Sequence, residues 1–318
     1  MIDTDPTEQP SPVPPSLPHV WLAGILIGDA SIVLLYGGGA LLLSRSNAFG
    51  LVGLPSFFLA PLLGGLVATY VWRKLKPTIG VICVNTLYMT LLALLGGALV
   101  FREGIICLVI LSPLFFVSLL TGAMLGRILF KAYPTRLHVS LLPLLLLGIL
   151  GEPLTRAPKE SVITDEILIQ APIAKVWPQV TAFPEIPSPP RFWLFRLGLP
   201  YPVATTSEGD FVNASRECVF SKGAIFKEKV VEFVPPTKLT FDIVESPPDP
   251  ELVGHLTPHR GRFLLHSNSD GTTTLIGSTW YTLHVRPLWY FDAWVQHIFR
   301  SVHMRVMDDI RRRAEQSR

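Results

Sequence analysis

At 318 residues, with 49% hydrophobic and 16% charged residues, the chain is too long for one ordinary domain and its composition is skewed towards a membrane protein. A formal charge of +3, part of it in loops beside apolar runs, gives no case for a nucleic-acid partner. Three cysteines, Cys83 and Cys107 inside apolar runs and Cys218 alone in the second half, cannot build a disulfide framework.

Residues 1–19 carry the Pro-rich run PSPVPPSLP and are expected to form a disordered or polyproline-like tail. No Lys or Arg precedes the first apolar run, so a cleaved signal peptide is not expected. Residues 20–154 then read as a transmembrane region of four or five helices: Val20 to Leu43, Leu51 to Trp72, Thr78 to Phe101, Gly104 to Gly126, and a shorter segment from His138 to Leu154. The first four meet the span of about 20 residues that a bilayer core requires. The fifth contains Pro143 and Glu152, which leaves a re-entrant helix open beside a spanning one.

Arg73, Lys74 and Lys76 fall in the second loop and Arg127, Lys131 and Arg136 in the fourth, against Arg45 and Arg102 in the first and third. The excess puts the even loops and the N-terminus in the cytoplasm. The second half is then outside the cytoplasm if the fifth segment spans, which is the reading adopted, and inside if it does not. Asp29 lies near the middle of the first run, where an ionisable group costs about 2.5 to 3.5 kcal/mol. It is a candidate ion or substrate site, or one end of an interhelical hydrogen bond with Asn85 as the obvious companion. Glycines at 37–39, 64–65 and 96–97 fit close helix packing.

After a linker at 155–160 the period of the pattern switches to two. Ile163, Ile167 and Ile169 predict a strand, Ala171 to Phe183 a short helix, and the aromatic segment Arg191 to Tyr201 a cap over one end of a cavity. Strands are predicted at Val203 to Glu208, Ser215 to Ser221, Phe226 to Val234, Lys238 to Val244, Arg262 to His266 and Thr273 to Val285, with turns at Pro235–Pro236 and Asp270–Gly271. From Leu288 to Ala314 an apolar stripe through Phe291, Trp294, Ile298, Val302, Val306 and Ile310 predicts a helix of roughly 40 Å. The fold class is thus an all-α transmembrane block followed by an α+β domain, an antiparallel sheet wrapped around a long C-terminal helix.

That order, together with the runs FPEIPSPPRFWLFRLGLPYP, RECVFSKG, GSTWY and HMRV, resembles the START-like, SRPBCC helix-grip superfamily, and within it bacterial membrane-anchored members of the polyketide cyclase/dehydrase and lipid-transport type. The resemblance covers about residues 161–313. It implies a cavity for a hydrophobic ligand between sheet and helix, and no particular reaction, since a fold does not carry its chemistry with it.

Strand parity and the helix stripe nominate Phe241, Tyr281, Trp294 and Ile298 as cavity residues, each of which is equally able to belong to a packed core. A buried Tyr281 needs a hydrogen-bond partner and is a candidate to orient a ligand head group. Trp193, with Phe192 and Phe195, is placed in a lid that dips into the membrane interface. Arg216, Glu217 and Glu228 lie in strands where charge is ordinarily solvated; the alternative is an inward Arg216 that binds a ligand carboxylate or phosphate. His303 borders the apolar stripe, as a structural residue or an acid–base group, and Arg305 and Asp309 are spaced to pair with each other.

His255 and His259 lie in a Pro-rich loop with no complementary ligands, so no metal is expected. Nucleophile elbows, phosphate loops and dinucleotide fingerprints are absent, so no cofactor is expected either. The expected partners are a lipid or other hydrophobic small molecule and the membrane. A cyclase or hydratase using Tyr281 and His303, and a ligand sensor signalling to the helical block, are the alternatives.

Overall fold

A computed structural model describes residues 18–43, 54–132 and 160–316. The expected Pro-rich tail up to residue 17, the fifth apolar segment and the linker lie outside the described residues.

Among the described residues, four helices make the first part: α1 (Pro18–Leu43), α2 (Leu54–Trp72), α3 (Ile79–Gly96) and α4 (Ile105–Ala132). Pro18 and His19 thus belong to α1 and not to the tail. Thr78 caps α3, its side chain accepting from Val81 N, and α3 widens into a π turn over Gly97–Phe101. α2 is the enclosed helix, with Ala68 and Trp72 fully buried between α1 and α4. Its approach to α4 requires glycine. A Cβ on Gly65 would lie 2.1 Å from Leu119 O, and one on Gly122 would lie 1.8 Å from Leu62 O. Gly96, expected in a similar role, has open space beside it. Among the described residues, three stretches are long and apolar enough to cross a membrane: Pro18–Leu35, Ile79–Val100 and Ile105–Lys131.

The second part is a helix-grip arrangement. Seven strands, β1 (Glu160–Ile169), β2 (Pro202–Ser207), β3 (Ser215–Phe220), β4 (Ile225–Val234), β5 (Lys238–Glu245), β6 (Leu256–Ser267) and β7 (Thr273–Leu283), form an antiparallel sheet in the order β1-β7-β6-β5-β4-β3-β2. Helices α5 (Ile173–Thr181) and α6 (Trp193–Leu197) fill the β1–β2 connection, and α7 (Leu288–Gln316) packs on β1, β7 and β2. The hairpin turns fall where the sequence puts them: Gly271 takes the left-handed conformation (φ +83), beside an Asp270 carboxylate that accepts from Thr272 N. β6 starts six residues earlier than predicted, so His259 sits in a strand and donates to or accepts from Thr282 at 2.7 Å.

Packing divides the domain into two zones. Towards the C-terminal end of α7, Val306, Met307 and Ile310 close on Ile169, Leu239, Leu265 and Leu275, all buried. Towards its N-terminal end, Phe291 joins Ile163, Leu194, Tyr281 and Leu283 in a second cluster that also takes in Ile106 and Ile110 of α4. The domain is therefore packed directly on one end of α4. Between the zones α7 stays joined to β1 and β7 through Asp165, Thr279 and His303, and a gap is left on the side of β3, β4 and β5.

Candidate functional site: a cavity with buried polar groups

The gap is a cavity of about 900 Å³ with a mainly apolar wall. Phe241, Trp294, Ile298, Val302 and Phe299 line it, and so do Arg216 and His303. The same space continues into the helical block, where Asp29 lies on its wall.

Arg216 and Glu228 are a register pair of β3 and β4, so their side chains leave the sheet on one face. That face is the inner one, shared with Cys218 on β3 and Phe226 on β4. Both charges are buried, at 3% and 6% exposure, which corrects the expectation that they are solvated; Glu217, one residue on, is the exposed one. Arg216 Nη1 lies 3.4 Å from Glu228 Oε2 and the guanidinium lies over the Phe241 ring at 4.5 Å. The pair neutralises itself without being saturated: Arg216 Nε and Nη1 and Glu228 Oε2 have no hydrogen-bond partner. Burial raises the Glu228 carboxyl from its ordinary 4.5 to about 7, with Arg216 opposing the rise. Burial also pushes the Cys218 thiol up to about 12, which leaves it without thiolate at neutral pH.

A second polar group joins α7 to the sheet. Asp165 on β1 accepts from Arg300 Nε at 2.7 Å and lies 2.9 Å from His303 Nδ1, and His303 Nε2 lies 2.8 Å from Thr279 Oγ1 on β7. The hydrogen bond from His303, followed by that from Arg300, holds the Asp165 carboxyl below its ordinary value despite burial. An ionised carboxylate only accepts, so Nδ1 carries the proton and, in the neutral ring, Nε2 accepts from Thr279. His303 and Thr279 both reach the cavity wall.

Two nominated residues stand elsewhere. Tyr281 is fully buried but absent from the cavity wall; its partner is Asp292 of α7, to which its hydroxyl donates at 2.6 Å, and burial with that carboxylate raises the phenol's pKa. Trp193 is 44% exposed on the outside of α6, edge-on to Trp294, and is likewise absent from the wall. Phe195, its expected companion in a lid, points inward as core. Arg305 does not pair with Asp309: it donates to Pro202 O and lies over the Tyr201 ring, while Asp309 accepts from Arg312 and Arg313.

Asp165 is not among the residues nominated from the sequence, and Glu228 stands there only as a charge expected to be solvated. A signal was present: Asp165 shares parity with Ile163, Ile167 and Ile169, and Glu228 with Phe226 and Val230, so each interrupts an apolar face. Among the described residues no three potential ligands gather as a metal site.

No protein-family model matches the chain, and no curated protein matches it. Solved structures match its second half. A truncated norcoclaurine synthase from Thalictrum flavum is 15% identical over 52% of this chain and 99% of that one, with a TM-score of 0.36. Norcoclaurine synthase from the same source, in complex with dopamine and hydroxybenzaldehyde, is 16% identical over 51% and 90%, also at 0.36. A protein of Nitrosospira multiformis is 16% identical over 48% and 94%, at 0.32. At these values the likeness assigns neither a family nor a chemistry to the chain, and the fold rests on the sheet order and helix packing described above.

Proposed function

We propose that the chain is a membrane-anchored binding protein whose sheet cavity holds an amphipathic small molecule and exchanges it with the bilayer. The observation that carries this reading is the Arg216–Glu228 pair, buried in an apolar cavity and left with open hydrogen-bonding capacity. Buried polar groups are ordinarily satisfied, and an unsatisfied one costs about 1–3 kcal/mol. A ligand head group that both donates and accepts removes that cost, and the apolar wall takes its chain.

The anchor is supported by the three long apolar stretches and by the outward face of the bundle, where Leu34, Leu91 and Ile128 are exposed. Orientation follows from the ends of the helices. Trp72 donates to Trp21 O, and the Tyr70 and Phe130 rings meet, so the basic residues Arg73, Lys74, Lys76, Arg127 and Lys131 share the end of the block remote from the domain. By the positive-inside rule that end is cytoplasmic and the domain is outside. The chain leaves α4 at that remote end and re-enters at Glu160 of β1, near Ile163, which packs with Ile106. The two ends are thus separated by the length of α4, about 40 Å.

The test is native mass spectrometry with lipid extraction on the full chain and on the double variant Arg216→Met, Glu228→Met. Removing both charges together leaves no orphan, so the variant should fold. The wild type is expected to carry an amphiphile of defined mass and the variant to lose it. An empty wild type, or equal occupancy in both, overturns the reading.

The Thr279–His303–Asp165 chain favours a second reading, an enzyme in which His303 takes or gives a proton at the cavity wall. Turnover of the extracted molecule, seen as a mass change that His303→Gln abolishes, would establish it. An unaltered mass leaves binding as the function.

A further inference from the structure

Asp29 on α1 is 8% exposed, and neither of its carboxylate oxygens has a hydrogen-bond partner. The interhelical bond that its sequence position suggests is not made: Asn85 Nδ2 donates to Val81 O of its own helix at 2.9 Å. A bare carboxylate in an apolar bundle is costly, and nothing in the packing of the helices offsets it. Asp29 does, however, line the same cavity as Arg216 and Glu228. Leu26 and Val33 of α1 and Leu92 of α3 line that cavity and are also exposed, which makes the face between α1 and α3 the candidate way in from the side. Ile106 and Ile110 of α4 line the passage from there to the sheet.

We propose that Asp29 is a second polar station on one continuous path, and that the ligand is a long-chain lipid with an uncharged, hydroxyl-bearing head, admitted from the bilayer between α1 and α3. This rests on the amphiphile-binding reading above and specifies its ligand. The head-group class follows from the charges that line the path. A phosphate or carboxylate head would meet the carboxylates of Asp29, Glu103, Asp249, Glu251 and Glu228 along the wall, against the two guanidinium groups of Arg216 and Arg262, and Arg216 already faces Glu228. A cationic amine would suit Asp29 and then be opposed by Arg216 and Arg262 at the sheet wall. A hydroxyl can donate to Asp29, donate to Glu228 and accept from Arg216 without change of charge.

The experiment uses the full chain in phosphatidylcholine nanodiscs and a C16 alcohol bearing a chain diazirine, with the matching fatty acid and alkyl phosphate as competitors. Cross-linked peptides are located by mass spectrometry. The alcohol is expected to label both α1/α3 and the sheet wall, and Asp29→Leu to reduce the α1/α3 labelling about tenfold, the factor for losing one hydrogen bond to a charged group. Asp29→Asn, which keeps one acceptor oxygen, should retain most of it and guards against a folding defect in the Leu variant. Labelling of the sheet wall alone, with no response to Asp29→Leu, overturns this inference and leaves the binding reading standing. Competition by the alkyl phosphate as effective as by the alcohol itself overturns the head-group class. Labelling of neither region, with the protein folded, removes the binding reading as well.

Discussion

Arg216 and Glu228 set the behaviour of the cavity at the scale of single residues. Removing one charge strands the other, so Arg216→Met alone should cost about 3–5 kcal/mol in chemical denaturation, while the double substitution to Met should be near neutral or stabilising. Glu228 also imposes a pH dependence. Its folded pKa lies above the ordinary 4.5, so the native state binds more protons than the unfolded chain between about 4.5 and 7, and stability from this group falls as pH rises through that window. Glu228→Gln should flatten that part of the stability profile; an unchanged slope would mean that the carboxyl is not desolvated as described. Asp165 works in the opposite sense. Its depressed pKa gives stability that is present above the ordinary value and lost as pH falls through the folded one.

At the scale of elements, the contact to examine is the N-terminus of α4. The first N–H groups of a helix lack intrahelical partners, and here the Glu251 carboxylate from the β5–β6 connection accepts from Ile106 N at 2.8 Å and Cys107 N at 2.9 Å. Tyr290, in the first turn of α7, donates to Ile110 O at 2.5 Å, so two separate elements of the domain hold the same helix end. Glu251→Ala should cost about 1 kcal/mol and speed hydrogen exchange at Ile106 and Cys107 without altering exchange in the β-sheet core. Gly104→Ala gives an independent check. A Cβ there would stand 2.3–2.6 Å from the Glu251 carboxylate and should displace it, with the same exchange signature. If neither variant changes exchange at those two amides, the cap does not hold the domain in place.

For the molecule as a whole, the consequence is that the domain has an apolar surface covered by the helical block. Leu199, Leu283 and Phe291 share a cluster with Ile106 and Ile110. Residues 156–318 expressed alone should therefore bind a hydrophobic dye and self-associate, where the full chain in detergent does neither; a monomeric, dye-silent domain would show that the two parts do not depend on each other. Trp289 at 71% and Trp193 at 44% are exposed near the same end of α7, where indoles suit a membrane interface. Replacing both by Ala should weaken vesicle binding by the isolated domain while leaving its fold unchanged, whereas Phe195, a core residue, is unsuited to that test.

Much of the architecture was written in local pattern. Apolar runs, a switch of period after residue 160, turn residues at 235–236 and 270–271 and a stripe through 288–314 are short-range features, and most helices and strands follow from them, with ends that differ by up to about six residues in β6 and α4. What the tertiary structure alone decided was the destination of each face. Parity groups Arg216 with Cys218, and Glu228 with Phe226, but does not say which side of the sheet is enclosed; the long helix decides that. Tyr281 needed a partner, and the fold supplies Asp292 where the sequence left room for a ligand. Asp165 reaches His303 and Glu251 reaches α4 across more than a hundred residues, so no spacing rule could have joined them. Asp29 was conspicuous from the start as a charge in an apolar run, but its isolation, and the cavity beside it, exist only once α1, α3 and the sheet stand against one another.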